Sequence, residues 1–213
     1  MIEFEIMDTF GILFGSQARV KIMRLFLLNS EDIIENAAIA KRSKVSAATV
    51  RKEIAILAKA GLIKKKNFYK ITLPKTKKGK PSKKKANGWI LDQSFELLKP
   101  LRTFLINTEP LRKQEVVNKF KNTGKIKLLV ISGIFIQEDD SRVDLLIVGD
   151  NLRKPAIENA LRSVEAEVGK EISYAYFDTQ EFNYRVSICD KFVRDVLDYP
   201  HRKLVDKLDT PIK

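Results

Sequence analysis

AAIAKRSKVSAATVRKEIAILAKAGLIKK, residues 37–65, reads as two short helices with a tight link between them. Ser46 stands directly ahead of a run that places Val50, Ile54, Leu57 and Ala58 at helical spacing. Its hydroxyl therefore predicts an N-cap for a helix from Ala47 to Ala60, which Gly61 ends. The preceding helix is predicted over about Asn36 to Arg42, and Lys44 and Val45 make the link. Upstream, GSQARVKIMRLFLL, residues 15–28, offers Ser16 as a cap and Val20, Ile22, Met23, Phe26 and Leu27 as the buried side of another helix.

The helix after Ser46 has two unlike faces. Ser46, Ala47, Thr49, Arg51 and Lys52 crowd its first turns with small, hydroxylic and basic side chains. A helix that enters a major groove needs that mixture, because small residues permit close approach while arginine and hydroxyl groups supply hydrogen bonds to bases and phosphates. The plain alternative is a solvated helix face in an ordinary helical domain. The residues that follow favour the first reading. Leu62 and Ile63, then Phe68, Tyr69, Ile71 and Leu73, read as a strand that carries Lys64, Lys65 and Lys66, and Gly88 to Leu91 reads as its return partner.

Between these strands lies PKTKKGKPSKKKAN, residues 74–87, with Lys75, Lys77, Lys78, Lys80, Lys83, Lys84 and Lys85 and no acid. Two prolines and a glycine interrupt it, so it is expected to pack no core and to be mobile when free. A basic hairpin tip after a helix-turn-helix is a wing, and it supplies phosphate contacts.

Here the chain resembles winged helix-turn-helix transcription regulators of the ArsR and MarR-like type. KIMRLFLLN and the segment from Ala37 to Lys65 carry the resemblance, which covers about residues 10 to 92. It implies sequence-specific recognition of double-stranded DNA, with Ser46, Ala47, Thr49, Arg51 and Lys52 at the bases and the lysines at the phosphates. The tip is longer than is common in that family, which favours backbone contact over base reading.

Charge divides the chain. Up to Gly124 there are 26 basic and 11 acidic residues, a net +15, and beyond it 14 and 16, a net −2. The first part suits a polyanion and the second does not. With 44% hydrophobic and 31% charged residues the whole has a folded protein's balance. No apolar run approaches the roughly 20 residues of a membrane helix, and Glu3 and Glu5 replace the basic start of a secretion signal. A cytoplasmic protein without membrane partner is expected. One cysteine and one histidine exclude a disulfide framework and a structural zinc site, and no cofactor is expected.

Connector helices are predicted over Ser94 to Ile106 and about Arg112 to Asn122, with apolar faces suited to homodimerisation or to packing on a neighbouring domain. Past Gly124 the pattern turns to strands, over Ile126 to Ile131, Val143 to Val148 and Ile172 to Phe177, with a helix over Lys154 to Val168. The expected class is thus α/β (α+β): a winged helix over residues 1–93, a helical connector over 94–124 and a mixed-sheet domain over 125–213. Cys189 is expected to be a buried inert thiol, His201 to be structural, and Tyr174, Tyr176, Phe177, Phe182 and Tyr184 to fill the second core.

VISGIFIQEDDSRVDLLIVGDNL, residues 130–152, resembles the minimal nucleotidyltransferase domain of the DNA polymerase beta-like superfamily. There a strand ends in Gly-Ser and the next begins with Asp-x-Asp, which implies a triphosphate grip and a two-metal carboxylate site. In this chain Ile134 follows Gly133, so the only nearby hydroxyl is Ser132, and Arg142 stands where the first aspartate belongs, leaving Asp144. A guanidinium repels Mg²⁺ there. The resemblance therefore implies a catalytically inactive domain, with Ser132, Gly133, Arg142 and Asp144 as a degenerate nucleotide site. Arg142 pairs with Asp144 or binds a phosphate, and Glu138, Asp139 and Asp140 are most simply solvated. Dimerisation, nucleotide sensing and contact with a protein effector remain open roles. The rivals are an active nucleotidyltransferase using Asp144 and the acids from 138 to 140 on a nucleic-acid acceptor, and a nonspecific nucleic-acid or RNA binder, favoured by the lysine-rich wing and by the scarcity of aromatic residues near it.

Overall fold

The computed structural model describes residues 9–72, 82–106, 113–138 and 140–208. The chain divides into two compact units, Met1–Leu105 and Ile106–Lys213, and is of mixed α+β class, with a separate sheet in each unit. No helix among the described residues is long and apolar enough to cross a membrane.

The first unit is built around α2 (Gln17–Leu28), which follows the short α1 (Thr9–Leu13). Ser16 Oγ caps α2 by accepting from Arg19 N at 3.2 Å, and Val20, Ile22, Met23, Leu25, Phe26 and Leu27 are all buried. The link between α3 (Asn36–Ser43) and α4 (Ala47–Lys59) turns at Lys44 in the left-handed region, φ 52°. Ser46 Oγ then accepts from Thr49 N at 3.2 Å, so the cap expected at Ser46 is present. Val50, Ile54 and Leu57 bury one stripe of α4, and Gly61 at φ 84° turns the chain out of the helix.

β1 (Ile63–Thr72) and β2 (Ser82–Leu91) pair antiparallel from Ile63↔Leu91 to Thr72↔Ser82, so Ser82 to Asn87, expected to belong to the tip, is strand instead, and Lys83, Lys84 and Lys85 stand on the ladder opposite Ile71, Lys70 and Tyr69. The tip, with Lys75, Lys77, Lys78 and Lys80, lies outside the described residues. An isolated bridge from Ile34 to Trp89, with N–H to O distances of 2.9 and 3.0 Å, adds a third backbone pairing ahead of α3. Gly88 beside it is required by close approach, since a Cβ there would lie 2.7 Å from Ile33 Cγ2.

α5 (Leu98–Ile106) begins four residues later than its sequence suggests. Ser94 is held by Asp92, whose Oδ1 accepts from Ser94 N and Oγ at 3.1 and 2.8 Å, so it turns the chain ahead of the helix, and Pro100, where an interruption or cap is expected, stands in the first turn of α5. Leu105 of α5 is fully buried, and Phe104 meets the Phe10 ring edge-on at 5.0 Å. α6 (Lys113–Phe120) belongs to the second unit, so the two helices expected to form a connector are divided between the units.

The second unit carries a mixed four-stranded sheet in the order β5-β4-β3-β6. β3 (Lys125–Ile131) is antiparallel to β4 (Leu145–Asp150) and to β6 (Arg202–Asp206), while β5 (Tyr174–Phe177) runs parallel to β4 after α7 (Lys154–Val168). Leu128, Val130, Leu146 and Val148 form a core with Phe182 of α8 (Thr179–Ser187) and Val193, Val196 and Leu197 of α9 (Lys191–Asp198). Of the five aromatics expected to fill this core only Phe182 is fully buried, with Phe177 packed against it. Tyr174 and Tyr176 stack on one another at 6.5 Å, and Tyr184 is 64% exposed. Cys189 corrects a second expectation: it is exposed at φ 54° in the turn between α8 and α9, where no core reaches it.

Candidate nucleic-acid interface

Helical periodicity sends Val50, Glu53, Ile54 and Leu57 of α4 inward and leaves Ala47, Ala48, Arg51, Lys52, Ala55 and Lys59 on the exposed side. Ser46 is exposed and Thr49 half-buried, its hydroxyl 2.8 Å from Ser46 Oγ. The single acid of α4 is on the other side. Glu53 is 3% exposed, its Oε2 2.8 Å from Arg19 Nε and its Oε1 accepting from Ser16 Oγ at 2.7 Å. The outward face of α4 thus carries small and cationic residues with one exposed aliphatic, Ile56, and no carboxylate.

The hairpin adds cations at two levels. Lys64, Lys65 and Lys66 lie near its foot and Lys83, Lys84 and Lys85 further out, opposite Ile71, Lys70 and Tyr69, all exposed. Alternation places Lys65, Lys83 and Lys85 on one face and Lys64, Lys66 and Lys84 on the other. Two hairpin lysines hold carboxylates: Lys64 with Asp92 at 3.0 Å and Lys70 with Glu35 at 3.1 Å. The Ser94 hydroxyl and N–H, and then Lys64, hold the Asp92 carboxyl down at about 2. Arg51, Lys52, Lys65, Lys66, Lys83, Lys84 and Lys85 make no ion pair among the described residues.

Lys70 escaped the sequence reading although it stands two residues past Phe68 on the same face, and so did the hydrogen bond from Trp89 Nε1 to Asn36 Oδ1 at 2.9 Å. The expected scarcity of aromatic residues near the wing is also corrected. Register puts Trp89 opposite Lys65 and Tyr69 opposite Lys85, both rings on one face of the hairpin.

In the second unit Ser132, Gly133 and Asp144 come together where β3 ends in a single 3₁₀ turn, Gly133–Phe135. Asp144 is engaged on both oxygens. Its Oδ1 accepts from Ile134 N at 2.8 Å, and Oδ2 accepts from Ser173 N and Oγ at 2.8 and 2.7 Å. Ser132 Oγ donates to Val143 O, and Gly133 N donates to Ser141 Oγ at 2.9 Å. Gly133 has φ 55°, and a Cβ on it would collide with Asp144 Oδ1. Arg142 is exposed and makes no ion pair with Asp144 among the described residues, so that expected pairing is absent there. Asp178 caps α8 by accepting from Glu181 N at 2.7 Å. Glu138 and Asp140 are exposed, Asp139 lies outside the described residues, and no group of three acidic, histidine or cysteine side chains among those described could hold a metal ion.

Compared with family models, curated proteins and solved structures, the chain matches none.

Proposed function

We propose that the first unit is a winged helix that binds double-stranded DNA sequence-specifically, and that the chain is a cytoplasmic transcription regulator. The observation that carries this reading is the outward face of α4, cationic and free of carboxylate because its one acid is turned inward onto Arg19 and Ser16. Helix, link, capped helix and basic hairpin follow in the order of that architecture, and the Ile34 to Trp89 bridge ties the hairpin to the start of α3. Arg51 and Lys52 reach bases or nearby phosphates, and the hairpin lysines that make no ion pair among the described residues hold the backbone. The second unit is a nucleotidyltransferase-like fold without transfer chemistry that serves dimerisation or ligand sensing. The full engagement of Asp144 by N–H and O–H donors supports a structural task for the residue a metal site would need.

Fluorescence anisotropy on the chain's own upstream duplex and on a scrambled duplex, across about 50 to 200 mM salt, tests the reading. A preference of about a thousandfold or more for the upstream duplex is expected. Arg51→Ala should cost about 1–3 kcal/mol and relax specificity. Lys83→Ala with Lys85→Ala should weaken both duplexes alike and reduce the slope of log K against log salt by about 1.8, two contacts at about 0.9 each. Equal affinity for both duplexes would leave a nonspecific binder, and no binding at low salt would refute the reading.

A further inference from the structure

The face of the hairpin that bears Trp89 is more than a row of cations. Reading outward along the register, Lys65 stands opposite Trp89, Asn67 opposite Asn87, and Tyr69 opposite Lys85. Residues two apart on a strand share a face at about 6.6 Å spacing, so the two rings lie about 13 Å apart along the hairpin with a pair of amides between them and a lysine across from each ring. Tyr69 is 71% exposed.

Beside this face a cleft of about 780 Å³ extends along β2 from Lys84 to Trp89, lined by Lys65, Lys85 and Trp89 of this face, by Lys70 and Lys84 of the other and by Asn36 of α3, with Tyr69 outside its lining. Its one carboxylate, Glu35, is neutralised by Lys70 at 3.1 Å. No residue of α4 lines it. Trp89 is half-buried, and its N–H is fixed on Asn36 at 2.9 Å.

Lysines alone on a sheet edge are accounted for as protection against edge-to-edge pairing. A bare tyrosine on the same face is not, because an exposed ring promotes the association that the lysines oppose. Rings alternating with cations and amides match a different chemistry: unpaired bases stack on aromatic side chains while ammonium groups follow the phosphates. A duplex cannot use the rings in this way, since its bases are stacked inside.

We infer that this hairpin face and cleft bind a single-stranded nucleic-acid segment, with bases on Trp89 and Tyr69 and phosphates on Lys65 and Lys85. The inference rests on the nucleic-acid reading of the hairpin and is independent of duplex recognition by α4.

Trp89 is the only tryptophan of the chain, so its emission reports on the cleft directly. The full-length protein is titrated at about 50 mM salt with a fifteen-residue oligothymidylate, with thymidine monophosphate and with a duplex of equal length, and duplex binding is followed separately by anisotropy. The expected result is saturable quenching by the oligothymidylate at concentrations where the monophosphate gives none. Tyr69→Ala should weaken it at least about fivefold, the loss of one base stack. Lys85→Glu should weaken it more, while Arg51→Ala with Lys52→Ala leaves it unchanged and impairs only the duplex signal. The inference is overturned if the oligothymidylate fails to quench, if Tyr69→Ala and Lys85→Glu quench like the parent, if the monophosphate saturates at the same concentration, or if the Arg51 and Lys52 changes abolish quenching.

Discussion

Replacing Glu53 by alanine removes the contact that joins the start of α2 to the middle of α4. Glu53 is 3% exposed and accepts from Arg19 Nε at 2.8 Å and from Ser16 Oγ at 2.7 Å, across 34 and 37 residues of sequence. Arg19 also donates to Phe14 O at 2.7 Å, so one guanidinium fixes the chain entering α2 and, through Glu53, the pose of α4. Breaking a fully buried ion pair by removing one partner costs about 3–5 kcal/mol. Here the Arg19 side chain is 24% exposed and regains water when its carboxylate goes. The expected cost of Glu53→Ala is therefore about 2–3 kcal/mol. Arg19→Ala should cost at least as much, because it strands a carboxylate that is far more enclosed than the guanidinium.

Urea unfolding of the full chain, read through Trp89, isolates the first unit, because no other tryptophan contributes. With an m-value of about 1.5 kcal/mol per molar, the midpoint for Glu53→Ala should fall by about 1–2 M. The double variant Arg19→Ala with Glu53→Ala should lose at least about 0.5 kcal/mol less than the sum of the single losses. Any loss of DNA affinity in the folded variant should be smaller than that of Arg51→Ala, because Glu53 acts only through the pose of α4 and itself faces away from its exposed side. A midpoint within about 0.3 M of the parent, or strictly additive single losses, would refute the assignment of this pair as the tie between the helices.

Two further outcomes follow from carboxylates held by hydrogen bonds. Asp144→Asn puts an amide N–H₂ against a backbone N–H, of Ile134 or of Ser173, and should destabilise the second unit by about 1–3 kcal/mol. Hydrogen exchange should show lost protection at one of those amides, and unchanged protection at both would contradict a structural Asp144. For Asp92 the folded carboxyl titrates at about 2 against an ordinary 3.8, held down first by the Ser94 hydroxyl, then by the Ser94 N–H and Lys64. A lowered folded value means that its stabilisation is complete above 3.8 and disappears as the pH falls toward 2. The gap in melting midpoint between the parent and Asp92→Asn should therefore be open at neutral pH and close between about pH 4 and pH 2, whereas a gap constant over that range would refute the linkage.

Where the sequence was legible, a short window held the whole cause. Ser46, the Val50, Ile54 and Leu57 spacing and Gly61 are all within one helix length, and α4 runs from Ala47 to Lys59 within a residue of that reading. The foot of the hairpin is legible for the same reason, from Leu62, Ile63 and the Gly88 to Leu91 run, but Ser82 to Asn87, read as part of the tip, pair with β1 because backbone hydrogen bonds do not depend on the lysine side chains. What failed depended on partners far away in sequence. Ser94 reads as the start of a helix until Asp92 takes its hydroxyl, and RKLVD becomes β6 only because β3 offers an edge far earlier in the chain, at Leu128 to Ile131. Cys189 has apolar neighbours in sequence, but helix α8 stops at Ser187 and the positive φ turns the thiol into solvent. In the candidate nucleotide site the sequence supplied the residue types. It did not reveal that Ser173 would draw Asp144 into a hydrogen-bonded turn.

The same distinction sorts the lysines of the interface, which composition treats as equal. Lys64 and Lys66 share a face and are both exposed, yet Lys64 holds Asp92 and Lys66 has no carboxylate among the described residues. Lys70 likewise holds Glu35, 35 residues away. A phosphate that approaches Lys64 or Lys70 must displace an existing partner, and the gain in counterion release is correspondingly smaller. The salt dependence of binding therefore follows the unpaired lysines and not the total. Because Lys65, Lys83 and Lys85 lie on one face and Lys66 and Lys84 on the other, one backbone lying on a single face of the described hairpin meets at most three of them, a slope of about −2.7. A count of lysines along the segment would overstate it. Charge gives the hairpin its attraction for a polyanion, whereas strand alternation and the two distant carboxylates decide how much of that charge a single nucleic-acid backbone can use.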